Sequence, residues 1–303
     1  MLRRLGRSVR QWKSGFHKLC WGLRTVGPRE TLVGAGRLAG LGWKKPARAE
    51  VRLRSGFSLE FDYPSQFPTM PVTFGDLVDP EFAFLRKVFR SDWVVIDVGA
   101  SIGPFSLFCL CLPVGHVHAF EPSAANVRML ARNAARNGVA DRITIHKLAL
   151  GDAPAEAVFE TTQETWNSRL ALSQDVSGER VSVRRVDDEI DRLGLARVSV
   201  LKINVAGYEP TVLMGAEALL KAGRADILIM LLGLPSLPHY ARIARFGYRF
   251  FFYQPRRGTL HEIVAFDEAS VLNHRPWPAR HIIAIREGAM EDILARGVAI
   301  QPR

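Results

Sequence analysis

Asp97, Gly99, Gly103 and Glu121 are the residues whose types and spacing best fit a chemical task. Asp97 comes near the end of an apolar run that starts at Trp93, a pattern suited to a strand buried on both faces of a parallel sheet. Gly99 and Gly103 then give a turn where backbone can approach a ligand without a Cβ in the way, and Pro104 fits the first position of a following helix. Glu121 closes the next apolar run, Val117-His118-Ala119-Phe120, about where nucleotide-type sites place a carboxylate for ribose hydroxyls. A dinucleotide fingerprint needs G-x-G-x-x-G, and Ser101 and Pro104 break it. A phosphate-cradling P-loop fails because no Gly-Lys-Ser/Thr follows.

Such a site needs a scaffold that delivers strand ends to one edge. Val51–Arg54 and Phe57–Phe61 alternate with period two around Ser55-Gly56 and predict a β-hairpin. Asp79-Pro80 reads as cap and first residue of a helix carrying Phe82, Phe84, Leu85, Val88 and Phe89, and this piece should cover a sheet edge or part of the pocket. Ser123 can cap a helix that runs to Asn137-Gly138. Ile143–Leu150 reads as the third strand, ending at Gly151-Asp152. Shorter strands at Val158–Glu160 and Val181–Val186 flank a polar loop, residues 161–178. Val198–Asn204 is a further strand, leading into a helix with Val212, Leu213, Ala216 and Leu220. Ile227–Leu232, Gly247–Tyr253 and Ile282–Ile285 are later strands. This alternation predicts an α/β fold, a doubly wound and mostly parallel sheet with ligands outside the carboxyl ends of its strands.

Composition sets the class. At 303 residues with 48% apolar content the chain can bury a large core. Residues 1–49 hold twelve Lys or Arg against Glu30 alone, a surplus equal to the whole net charge of +11, so the rest of the chain is balanced. Cys20, Cys109 and Cys111 read as reduced core thiols. Cys109-x-Cys111 is too short for a zinc pair and has no second pair, so no metal is expected. No apolar run is long enough to span a membrane, which predicts a cytoplasmic chain.

Asp97-x-Gly99-x-x-x-Gly103 with Glu121 resembles the first two motifs of class I methyltransferases that use S-adenosylmethionine. The matching stretches Val95–Gly103, Ala119–Pro122, Asn133–Asn137, Ala149–Asp152, Asn167-Ser168 and Lys202–Glu209 with Val212–Ala216 resemble, in order and spacing, the FkbM-like methyltransferases. The resemblance covers about Trp93 to Tyr253. It implies a Rossmann-like fold, S-adenosylmethionine as cofactor, and methylation of a hydroxyl on a sugar, glycan, lipid-linked saccharide or secondary metabolite. Carried over by position, Asp97, Gly99, Ala100, Ser101, Gly103, Glu121 and Asp152 would bind the cofactor. Lys202 reads as a structural pairing group at the sheet end.

Two departures bear on the acceptor side. Where the family usually reads Lys-Ile-Asp-Val-Glu-Gly this chain has Asn204 and Ala206, and its fifth strand ends in Leu231-Leu232 where relatives tend to carry Glu. A hydroxyl acceptor must lose its proton as the methyl moves, so either another residue serves as base, or transfer relies on positioning, or activity is gone. Asn204 marks the acceptor edge, and Glu209, His239 and His146 are the candidates for the base. Against these stand plainer readings: a turn cap for Asp97, a turn closure for Asp152, a loop histidine for His239, and loop shaping for Asn167-Ser168. Three activities remain: an O-methyltransferase first, then a degenerate non-catalytic relative, then an RNA methyltransferase, which the neutral main body makes less favoured.

Leu2, Leu5, Val9, Trp12, Phe16, Leu19, Leu23 and Val26 recur at three- and four-residue spacing, an apolar seam on a basic helix that Pro28 should end. It reads equally as a helix packed on its own domain or on a second copy, and as peripheral contact with the inner face of a membrane through residues 1–26. RNA contact ranks third. Gly34–Arg48 reads as a linker. The expected organisation is a basic segment and linker at 1–49, a hairpin and helix at 50–90, a methyltransferase domain at 91–290 and a tail at 291–303.

Overall fold

The computed structural model describes residues 27–75, 80–160, 169–171, 178–255, 257–273 and 281–301, together with Leu23. The first elements are α1 Pro28–Lys44, β1 Arg48–Arg52, β2 Ser58–Asp62, α2 Thr69–Phe74, α3 Pro80–Val88, β3 Val94–Val98, α4 Pro104–Leu110, β4 His116–Phe120 and α5 Ala124–Arg136. Then come β5 Ile143–His146, β6 Ala149–Gly151, β7 Ala155–Glu160, β8 Arg169–Ala171, β9 Glu179–Arg185, α6 Val186–Arg192, β10 Val198–Ile203, α7 Glu209–Gly215, α8 Glu217–Lys221 and β11 Ala225–Leu231. The last are α9 Leu237–Ala244, β12 Tyr248–Gln254, β13 Thr259–Ile263, α10 Glu268–Asn273, β14 His281–Arg286, α11 Met290–Ala295 and β15 Ala299–Ile300.

Strands made of unbroken apolar runs bury both faces, and the central ones here do so. The main sheet has the order β15-β13-β12-β14-β11-β10-β3-β4-β5. Its five central and right-hand strands, β11 to β5, run parallel, and β14 is antiparallel to both β11 and β12. On one face Phe84, Phe105, Phe108 and Leu130 pack on Val95, Val117, Val200 and Ile229. On the other, Val212, Leu220 and Tyr240 pack on Ile96, Val98, Leu201 and Met230. From β3 the chain winds one way to β4, while β10 lies on its other side. The switch point, where open α/β sheets place ligands, therefore lies at the carboxyl ends of β3 and β10.

The hairpin forms as its alternation predicts, and it is fastened by two asparagines. β2 pairs with β1 on one edge, which leaves a row of backbone groups on the other. Asn133 accepts from Glu60 N (2.9 Å) and donates to Glu60 O (3.0 Å). One helical turn on, Asn137 accepts from Ser58 N (2.8 Å) and donates to Ser58 O (2.8 Å). Two amides four residues apart on α5 thus serve as a substitute strand. Asn133 Nδ2 also donates to Ile102 O (3.0 Å), so the same side chain ties hairpin, helix and glycine turn together. Removing it would strand buried backbone groups, at a cost of about 1–3 kcal/mol each.

Several expectations are corrected. Residues 34–44 are not a linker but most of α1: Thr31, Leu38 and Leu41 recur at helical spacing, and Pro28 begins this helix rather than only ending an earlier one. Gly34 permits contact with α2, since a Cβ there would lie 1.6 Å from Thr73 O. The run 143–150 breaks after His146, and β6 leaves to join a second sheet of order β6-β9-β7-β8. The polar loop 161–178 contains β8, and Val186 opens a helix instead of ending a strand. The helix after β10 is interrupted at Ala216, next to Gly215, whose absent Cβ makes room for Gly151 O. Residues 291–301 are no tail: they include most of α11, and β15 adds to β13. Cys109 is buried in the core as expected, while Cys111 is exposed at the end of α4. The seam over residues 1–26 apart from Leu23, Asp79, and Asn167-Ser168 lie outside the described residues. No described helix is long and apolar enough to cross a membrane.

Candidate active site

The turn after β3 is built by backbone that only small residues allow. Gly99 and Gly103 take positive φ, as does Ser101 at 52°. A Cβ on Gly99 would stand 2.1 Å from Asn204 O, so the end of β10 packs directly against the turn. The amides of Gly99 and Ala100 both reach Phe120 O (3.0 and 3.1 Å).

Glu121 organises this turn. Its Oε2 accepts from Ser101 N (2.8 Å) and its Oε1 from Ser123 N (3.0 Å) and Asn126 Nδ2 (3.1 Å). Burial raises its carboxyl above the ordinary range, opposed by these three donors and by the charge of Lys202. An ionised carboxylate offers about four lone-pair sites, so the three donors leave one open to a further hydroxyl.

Asp97 behaves differently from the expectation that it touches a cofactor. It is fully buried, with Oδ2 accepting from Ser106 Oγ (2.7 Å) and Oδ1 lying 2.7 Å from Lys202 Nζ. Among the described residues no group gives Oδ1 an aligned hydrogen bond, so the pairing with Lys202 is one of charge. Lys202, directly opposite Asp97 in the register of β10 and β3, donates onward to Gly99 O (2.9 Å). Asp97 therefore acts on the turn from behind, through Lys202, which fills the structural role expected of it.

Of the proposed bases, Glu209 uses both carboxylate oxygens to hold the loop after β10, accepting from Val205 N and Gly207 N (2.9 Å each). His239 lies on α9 against Leu213, Met214 and Arg242 in the helix layer. His146 stacks on Phe120 (4.4 Å) and meets His118 across the strands (3.2 Å). Asp152 is exposed after Gly151 and close enough to Tyr208 that its charge, added to burial, raises the phenol above its ordinary pKa.

Sequence reasoning missed the polar group at the acceptor edge. Asn204 Nδ2 lies 3.3 Å from His281 Nε2, and Glu81 Oε1 lies 2.6 Å from His281 Nδ1. His281 and Glu81 are both buried. His281 precedes an apolar run read only as a strand. Because β14 runs antiparallel to β11, its first residue sits opposite Leu231, at the carboxyl ends of the parallel strands. Among the described residues no cluster of His, Cys, Asp or Glu could hold a metal.

A glycine turn after β3 and an acid after β4, on a mostly parallel sheet, are the arrangement of a class I methyltransferase. The methyltransferase FkbM domain matches residues 97–265, more than half of the chain, and the chain belongs to that family. It is 33% identical over 156 residues to 31-O-demethyl-FK506 methyltransferase FkbM of Streptomyces tacrolimicus, covering 41% of this chain and 59% of that protein. It is 32% identical over 180 residues to AMB antimetabolite synthetase AmbE of Pseudomonas aeruginosa, covering 46% of this chain and 8% of that protein. The chain thus spans under two thirds of these relatives' length. Among solved structures it is similar to the methyltransferase FkbM of Methylobacillus flagellatus, at 18% identity and a TM-score of 0.44 over 72% of this chain and 53% of that one.

Proposed function

We propose that this methyltransferase uses S-adenosylmethionine and transfers its methyl group to a hydroxyl on a sugar, glycan, lipid-linked saccharide or secondary metabolite. The bound cofactor would supply an electrophilic methyl carbon with a thioether as leaving group. Glu121 fits a ribose better than a phosphate, because a buried acid across the turn repels anions and still has one acceptor site for a hydroxyl. The relative named 31-O-demethyl-FK506 methyltransferase carries an oxygen acceptor in its name.

The observation that carries the oxygen assignment is the cluster Asn204–His281–Glu81 beside the turn. The carboxylates missing at positions 204 and 206 are replaced by one from α3 that reaches the same edge. In this reading an acceptor hydroxyl displaces the Asn204 amide from His281 Nε2 and gives its proton to that nitrogen. Glu81, at Nδ1, offsets the positive charge that results.

Calorimetric titration with S-adenosylhomocysteine, paired with turnover on a panel of hydroxylated glycans and metabolites, tests both halves. His281→Gln should keep homocysteine-product affinity within about threefold while turnover falls about 100-fold or more. Folded protein that does not bind the product removes the cofactor assignment. Full turnover by His281→Gln removes the oxygen-acceptor base.

A further inference from the structure

We propose that the outward face of α1 is a docking surface for an anionic lipid bilayer. The inner face of this helix is committed to the protein: Thr31 and Gly34 are buried, and Gly34 lies against the backbone of Thr73. That contact fixes which side faces out. Leu32 (68% exposed), Val33 (43%) and Trp43 (90%) occupy the outer side, and they are three of the most exposed large apolar residues described. At 100° per residue Leu32 and Trp43 fall nearly on one line along the helix, with Val33 about a quarter turn away.

Arg29, Arg37 and Lys44 share this outer half, all exposed. An exposed face that interleaves large apolar residues with basic ones and ends in a tryptophan suits a headgroup region, where the indole and the hydrocarbon enter the boundary and the cations meet lipid phosphates. The charge distribution of the whole chain points to the same partner. The full surplus of +11 lies within residues 1–49, with five of the twelve basic residues on α1 or just after it, while the rest of the chain carries no net charge. Docking through α1 would hold the body at the membrane surface without any spanning segment.

The test uses the full chain and vesicles of phosphatidylcholine, with or without about one third phosphatidylserine. Co-sedimentation should favour the anionic vesicles about tenfold or more and weaken with salt. The fluorescence change on binding should be largely lost in Trp43→Phe. The double variant Leu32→Ser/Trp43→Ser, checked for an unchanged unfolding temperature, should bind at least about tenfold more weakly. That variant keeps residues 1–26 intact, so equal binding by variant and parent would overturn the assignment to α1. So would absence of vesicle binding, or a concentration-dependent dimer that the same double substitution dissociates, which would make a second copy the occupant.

Discussion

Lys202 and Asp97 face each other across β10 and β3 with 2.7 Å between Nζ and Oδ1, and neither side chain is more than 8% exposed. The ammonium also reaches the carbonyl of Gly99 and lies 5.9 Å from the centre of the Phe105 ring. An ion pair at the floor of the glycine turn therefore sets the shape of the turn itself.

Removing one partner leaves a buried charge without compensation. Lys202→Met should lower stability by about 3–5 kcal/mol, and Asp97→Asn by a similar order. The double variant should cost less than the sum of the two in urea unfolding. Strict additivity would show that the two charges do not support each other.

Glu121 gives a pH dependence to ligand binding. A hydroxyl donates to the ionised carboxylate, and burial holds this carboxyl above its ordinary value. Affinity for S-adenosylhomocysteine should therefore rise with pH through that raised value and level off above it, in calorimetry over a series of pH values. Glu121→Gln should flatten the profile and weaken binding by roughly 10- to 100-fold, the worth of a charge-assisted hydrogen bond. A profile unchanged by the substitution would place the ribose elsewhere.

His118 should make the fold sensitive to acid. Burial, together with the nearby His116, His146 and Arg192, lowers its pKa from 6.5 to about 4. The folded state thus prefers the neutral ring. The stability this represents is present above pH 6.5 and is lost as pH falls toward about 4. It amounts to at most about 3 kcal/mol. His118→Gln should show a shallower decline in unfolding free energy over that interval. His116 and His146, whose values are also lowered, should leave some decline in the variant. Superimposable curves would mean that His118 is as well solvated in the folded chain as in the unfolded one.

Much of this architecture is legible in the chain. Unbroken apolar runs before Gly99 and Glu121 specify strands buried on both faces, and the glycines at 99 and 103 specify a turn that no side chain could share. Those signals are local: they depend on residue type, period and φ, which sequence carries directly. The double role of Asn133 and Asn137 was visible only as part of a family pattern. Their hydrogen-bond partners lie more than seventy residues away on β2.

What the sequence alone determined is a switch point, a glycine turn and an acid after the next strand, the elements proposed here for the donor. Tertiary structure decided the rest. Glycine-rich α1 looked like a linker until the contact of Gly34 with Thr73 seated the helix on α2. Asp97 looked like a ligand until register placed Lys202 beside it. The Asn204–His281–Glu81 cluster assembles from α3, β14 and the end of β10, over a sequence separation of two hundred residues between Glu81 and His281. No periodicity encodes such a meeting, because it depends on β14 entering the sheet antiparallel and so presenting its first residue where the parallel strands present their last.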